Sequence, residues 1–323
     1  MNFLSKSLVV LCLFGRAFCT EDFTELDFVA HQVIIDKCKN VLIKEPFSPV
    51  CDEAGIPLDT AYAQHPAYQS FASFDFSTND LPPSIDFRNY PPCPPIYAQE
   101  GLSSCTACAG ASVVWYWLLK RNPETAYNPS RLFLYYNERV IKNEIHHLPD
   151  SIADNGAWGP DVILALHQYG VCPESTWPYE PALCDQEPSP ECYEQAKLSL
   201  TQGAFVHSFV PRDLTQIKAV LAQKIPIIVG LAIYESSITP YAWRTGIIPT
   251  PTDIPNDTLA GGHEMMFIGY DDNMVGHDGT KGYFIFQNSW GEGFGDKGYG
   301  YLPYDYMMNP KLVFGKFFIK GEE

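Results

Sequence analysis

Residues 99–108 read Gln-Glu-Gly-Leu-Ser-Ser-Cys-Thr-Ala-Cys and run directly into a helical apolar pattern: Ala107, Val113, Val114, Trp117 and Leu118. Ser103 or Ser104 is placed to cap that helix, and Asn122-Pro123 to stop it. Cys105 then opens the helix, where unpaired backbone N–H groups and the helix dipole favour an anion. A thiol there is pushed toward thiolate, its nucleophilic form. Gln99, six residues earlier, carries an amide suited to an oxyanion. Other readings stay open. Cys105-x-x-Cys108 also fits a redox pair or half of a metal site, and Cys105 fits a buried helix-start cysteine with no chemistry. A zinc site wants a second Cys-x-x-Cys or a His pair, which the chain lacks. A redox fold wants a βαβ context, which the Pro-rich approach at 91–95 does not supply.

Two downstream stretches change the weight of the first. Gly261-Gly262-His263-Glu264 enters an apolar strand pattern through two glycines, which admit a close neighbour. Gln287-Asn288-Ser289-Trp290-Gly291 follows another strand. Alone, the first is a strand histidine and the second a turn. Together with Cys105 they form a set in which a thiol is activated by an imidazole and the imidazole is oriented by an amide.

The period of the apolar residues divides the chain. Residues 130–142 and 160–169 read as helices, with Gly170 ending the second, and 172–195 as a Pro- and Cys-rich loop. Beyond about 200 the period becomes two: 204–210, 263–270, 282–287 and 312–319 read as strands, 225–234 as a buried strand and 213–222 as a helix. A helical half followed by a β-rich half is an α+β chain, with a cleft expected between them.

The chain has 323 residues, 46% hydrophobic, with a net charge of −17. That excludes a disordered chain and disfavours nucleic acid as a partner, because binding it requires Lys and Arg to replace counterions. Residues 1–19 have the layout of a secretory signal peptide: basic Lys6, an apolar run from Ser7 to Gly15, and small residues before a cut after Cys19. No later run is long enough for a membrane anchor, so the mature protein is expected to be a secreted, lumenal or periplasmic monomer. Residues 20–80 hold 11 Asp and Glu against Lys37, Lys39 and Lys44. They read as an amphipathic helix at about 22–43 and then an extended arm.

On these residues the chain resembles the papain-like cysteine peptidases, and among them a divergent branch whose motif is roughly Gln-Gly-x-Leu-Gly-Ser-Cys-Thr-Ala. The likeness runs from about Leu81 to the C-terminus. It rests on Leu81-Pro82-Pro83-Ser84-Ile85-Asp86-Phe87-Arg88, Tyr169-Gly170-Val171-Cys172-Pro173-Glu174 and Trp177-Pro178-Tyr179. Gly262-His263 with Gly269-Tyr270-Asp271, then Asn288-Ser289-Trp290-Gly291 and Gly298-Tyr299-Gly300, are its strongest matches.

The resemblance implies a two-lobed fold, with a helical lobe at about 81–200, a β-rich lobe at about 201–323 and the site between them. It implies Cys105 as nucleophile, His263 as acid–base, Asn288 as its orienter, Gln99 with the Cys105 N–H as oxyanion hole, and Trp290 as a shield. Gly262, Glu264 and Trp290 would bind substrate. Peptides or proteins would be the substrates, with no metal or cofactor. The chain departs from the pattern at Glu264, where a small residue is usual and a carboxylate would favour a basic substrate side chain. It departs again at Phe294, where Trp is usual, and in extra loop near 236–260. A catalytically weak binding protein and an acyltransferase on the same three residues are the alternatives. In this family an N-terminal segment commonly blocks the cleft, so 20–80 is expected to be a removable pro-segment, cut near Asn79-Asp80-Leu81. Cys38–Cys51 and Cys184–Cys192 are the expected local disulfides, Cys108 stays reduced, and Asn256-Asp257-Thr258 is a glycosylation sequon.

Overall fold

The structure, a computed structural model, describes residue 42 and residues 76–90, 93–149, 152–202, 205–251 and 256–321. The signal peptide, the helix expected at 22–43 apart from Leu42, the arm up to residue 75, and Cys38 and Cys51 lie outside the described residues. Leu42 is buried in the main core, and Phe76 packs edge-on against Phe318.

Helix α1 (Cys105–Arg121) begins and ends where the sequence placed it. Ser104 is its N-cap residue, but the serine side chain does not cap the helix. The Ser104 hydroxyl lies 2.6 Å from the Tyr179 hydroxyl instead. At the other end the Asn122 N–H closes onto the Leu118 carbonyl. Helix α2 (Arg131–His146) is capped by Ser130, whose hydroxyl accepts from the Phe133 N–H at 3.1 Å. Helix α3 (Gly159–Tyr169) starts with Pro160 in its first turn, where a missing N–H costs nothing, and stops at Gly170.

Helix α4 (Pro190–Gln202) corrects the expected loop over 172–195. Pro188 and Pro190 read as loop signals, yet a proline is compatible with the first turn of a helix. Helix α5 (Leu214–Ala222) is capped by Asp213. Short helices α6 (Pro240–Thr245) and α7 (Tyr304–Met308) follow, the first inside the extra loop.

The strands are β1 (Ser84–Asp86), β2 (Phe205–Phe209), β3 (Ile227–Tyr234), β4 (Leu259–Val275), β5 (Lys281–Gln287), β6 (Tyr299–Pro303) and β7 (Val313–Gly321). They form one antiparallel sheet in the order β2-β7-β3-β4-β5-β6, with β1 added on β4. β4 is the longest of these strands because it pairs with β3 along its first half and with β5 along its second. In β3, Ile227 to Ile233 are all buried, which explains an apolar run without alternation.

β1 corrects the lobe boundary, since residues 84–86 belong to the β-rich lobe. Ile85 pairs with Tyr270 and Asp86 with Gly269. Gly269 is required there, because a Cβ would run into the Ile85 carbonyl oxygen. The lobes are also tied at the C-terminal end, where the Trp117 indole N–H on α1 donates to the Ile319 carbonyl on β7 at 2.6 Å. One main hydrophobic cluster runs through both lobes. Among the described residues no helix is long and apolar enough to cross a membrane.

Candidate active site

The site is assembled where the start of α1 meets the first half of β4, with His263 inside the strand and not at its start. The segment before α1 is zipped to the segment after β5. The Gln99 N–H donates to the Ser289 carbonyl at 2.8 Å, the Gly291 N–H to the Tyr97 carbonyl at 3.0 Å, and Ala98 bridges Trp290. These bonds bring Gln99, Cys105 and Asn288 to the same place from opposite ends of the chain.

Cys105 is fully buried, and the backbone of Glu264, one residue beyond His263, hydrogen-bonds its sulfur. His263 pairs with Leu231 across β3 and β4. Its Nε2–H donates to Asn288 Oδ1 at 2.8 Å. The Ser289 N–H also donates to that oxygen at 2.8 Å, which fixes the orientation of the amide and hence the ring tautomer. The proton-free nitrogen is therefore Nδ1, which is buried and has no hydrogen-bond partner. Trp290 stacks on the imidazole with ring centroids 4.6 Å apart.

Gln99 is buried. Its Nε2 donates to the Leu102 carbonyl at 2.9 Å, and its Oε1 accepts from the Ser289 hydroxyl at 2.6 Å. The amide is thus held from both sides. Cys105 is the first residue of α1, so its N–H has no acceptor within the helix.

Burial dominates the electrostatics. It pushes the Cys105 thiol well up, reinforced by the Glu264 carboxylate. It pushes the His263 ring down to about 4, although the Asn288 hydrogen bond works the other way. Burial thus works against the thiolate expected from the helix start. The physical reason is enclosure: a helix start favours an anion, but Cys105 and His263 are both buried, which disfavours the charged form of each.

Glu264 is buried with Oε1 unpartnered, and burial plus nearby Asp161 raises its carboxyl to about 8. Gly159 and Gly230 flank it so closely that a Cβ at Gly159 would meet Oε1. Gly262 lies beside it on β4, opposite Ala232. Behind the nucleophile, the Thr106 hydroxyl donates to buried Glu138 at 2.6 Å. Cys105 and Cys108 are both free thiols and are not joined, and burial raises the Cys108 thiol to about 12.

Several contributors were missed in the sequence. Ser289 holds Gln99, and its place inside the Asn288 motif was the available signal. The Tyr179 hydroxyl donates to the Gln99 carbonyl at 2.8 Å and also meets Ser104. Trp243 on α6 stacks on Trp290 at 5.8 Å, and Phe294 meets both indoles edge-on. The ring at the Phe294 departure is thus part of an aromatic cluster around Trp290.

The papain family cysteine protease model matches residues 81–309. An uncharacterized peptidase C1-like protein of Acanthamoeba polyphaga mimivirus is 34% identical over 67% of this chain and 66% of its own length. Peptidase 1 of Dermatophagoides farinae is 27% identical over 69% of this chain and 61% of its own length. The chain thus spans about two thirds or less of these two relatives. The crystal structure of xylellain, a cysteine protease from Xylella fastidiosa, superposes with a TM-score of 0.67 at 32% identity, covering 79% of this chain and 92% of that one. Digestive procathepsin L 3 of the Tenebrio molitor larval midgut shares the fold at 16% identity, with a TM-score of 0.59 over 93% and 94% of the two chains. With the family model spanning both lobes and the site between them, this chain belongs to the papain family of cysteine proteases.

Proposed function

We propose that the protein hydrolyses peptide bonds with Cys105 as nucleophile, His263 as general acid and base, and Asn288 as the residue that orients the ring. The observation that supports this most is the unpartnered, buried Nδ1 of His263, on a ring whose other nitrogen is tied to Asn288. The proton of Cys105 moves to Nδ1, and the thiolate attacks the substrate carbonyl carbon. The mutual attraction of thiolate and imidazolium offsets the burial that disfavours each charge alone. The oxyanion is met by the Cys105 N–H and the Gln99 amide. His263 then protonates the leaving amine, and a thioester remains on sulfur. Water, deprotonated by His263, hydrolyses that thioester and restores the thiol. Trp290 keeps bulk water from the His263–Asn288 bond.

Glu264 and Gly262 line the substrate side in this reading. Glu264 has another acid beside it, an unpartnered oxygen and glycines on both flanks. A basic substrate side chain entering there would draw its carboxyl into the ionised form, so the second substrate residue is basic. Residues 20–80 act as a removable segment after secretion through residues 1–19. The start of the family match at residue 81 supports that boundary.

Active-site labelling tests the chemistry. An epoxysuccinyl or iodoacetamide probe should modify Cys105 in the active protein, and Cys105→Ala should neither label there nor cleave a peptide library. Cleavage by Cys105→Ala would remove the proposed nucleophile, and slow labelling without cleavage in the parent would favour a binding protein.

A further inference from the structure

The disulfide expected between Cys184 and Cys192 is not the pairing that the fold prepares. Cys184 is half-buried, and its carbonyl takes a hydrogen bond from the Arg139 guanidinium. Cys192 lies in the first turn of α4, has no exposed surface, and has the Ser189 hydroxyl 3.3 Å from its sulfur. Its neighbour is Cys172, equally buried, whose thiol hydrogen-bonds the Cys192 side chain. Both backbones are held. The Ser130 N–H donates to the Cys172 carbonyl at 2.9 Å, Pro129 bridges Pro173, and the Cys192 N–H donates to the Ser189 carbonyl at 2.9 Å.

We propose that Cys172 and Cys192 are joined by a disulfide in the mature protein, closing a loop that braces the active site. The loop between them carries Glu174, which pairs with Arg131 at 2.5 Å, and Trp177, whose carbonyl accepts from the Ser130 hydroxyl at 2.7 Å. It also carries Tyr179, which holds Gln99 and Ser104. A covalent tie at the two ends of this loop keeps Tyr179 against the oxyanion residue and the helix start.

The bond forms by exchange with a disulfide oxidant, such as an export-pathway oxidoreductase or glutathione disulfide. One cysteine thiolate displaces a thiolate from the oxidant, giving a mixed disulfide. The second cysteine displaces the remaining half. Two protons and two electrons leave the protein, and the oxidant ends as two thiols. The exchange takes place while the chain is folding, because burial raises the Cys172 thiol and shields both sulfurs in the folded protein. It requires an oxidising compartment, as the expected signal peptide provides.

The test uses the full chain carrying Cys105→Ala, to prevent self-digestion, exported through an oxidising pathway. Free thiols are alkylated under denaturing conditions and the protein is mapped without reduction. The expected result is one peptide pair linking Cys172 to Cys192, with Cys93, Cys108 and Cys184 alkylated. Recovery of Cys172 and Cys192 as alkylated thiols, or a link from either to Cys184, overturns the proposal. Cys172→Ala/Cys192→Ala in the same background should lower the thermal midpoint by about 5–10 °C. Dithiothreitol under denaturing pretreatment should bring the parent down to the same value, and an equal midpoint without reductant would also overturn it.

Discussion

Replacing Glu264 by glutamine should make the protein more stable at alkaline pH and leave it unchanged in acid. The carboxyl is buried, one of its oxygens has no partner, and its folded-state value is raised from 4.5 to about 8. A carboxyl raised in this way binds its proton more tightly in the folded state than in the unfolded one. Its ionisation therefore costs nothing below about pH 4.5, and the cost grows as the pH climbs toward 8. The full displacement corresponds to roughly 4–5 kcal/mol above pH 8. Glutamine keeps the shape and removes the charge.

The assay is urea unfolding of Cys105→Ala and Cys105→Ala/Glu264→Gln between pH 4 and 8.5. The difference between the two stabilities should be near zero at pH 4 and reach several kcal/mol in favour of the glutamine at pH 8.5. His263 contributes in the opposite sense, losing stability as the pH falls from 6.5 toward about 4, but it is common to both proteins and cancels. A difference that stays flat across this range would refute a buried, unpaired Glu264. A difference favouring the carboxylate at high pH would mean that a cation pairs with it.

On an active background, Glu264→Gln should lower kcat/KM for substrates whose second residue is basic and spare apolar ones, read from a peptide-library digest; equal losses would leave Glu264 a structural role. Gln99→Ala should keep probe labelling of Cys105 while reducing kcat by about 10²–10³, the usual loss on removing an oxyanion donor.

Much of the proposed catalytic set was legible because its parts are local. Cys105 at a helix start and Asn288 after a strand are read from the period of the flanking apolar residues, and those elements lie where the periods placed them. The strand of His263 begins earlier than its period indicated, at Leu259, because Gly261 and Gly262 already pair with β3, so His263 lies buried inside the strand. Caps and stops at Ser130, Asp213, Asn122 and Gly170 were legible for the same reason, since each acts on backbone groups within a few residues. The order of a helical half and a β-rich half, and the family, also followed from the chain alone.

What only the tertiary structure decided involves partners far apart in the chain. The Ser104 side chain leaves the helix start uncapped and meets Tyr179. Ser289 holds Gln99, and Trp243 extends the stack over His263 through Trp290. β1 leaves the helical half to pair with β4, and the Cys172 thiol hydrogen-bonds the Cys192 side chain from across the loop. The charge state of the site belongs here too. A helix start favours a thiolate, but Cys105 is buried with Glu264 and Glu138 acting on it and His263 is buried too, and that enclosure works against the local preference. Periodicity reports which face of one element is buried; it carries no signal for which distant side chain covers that face, or whether water reaches it.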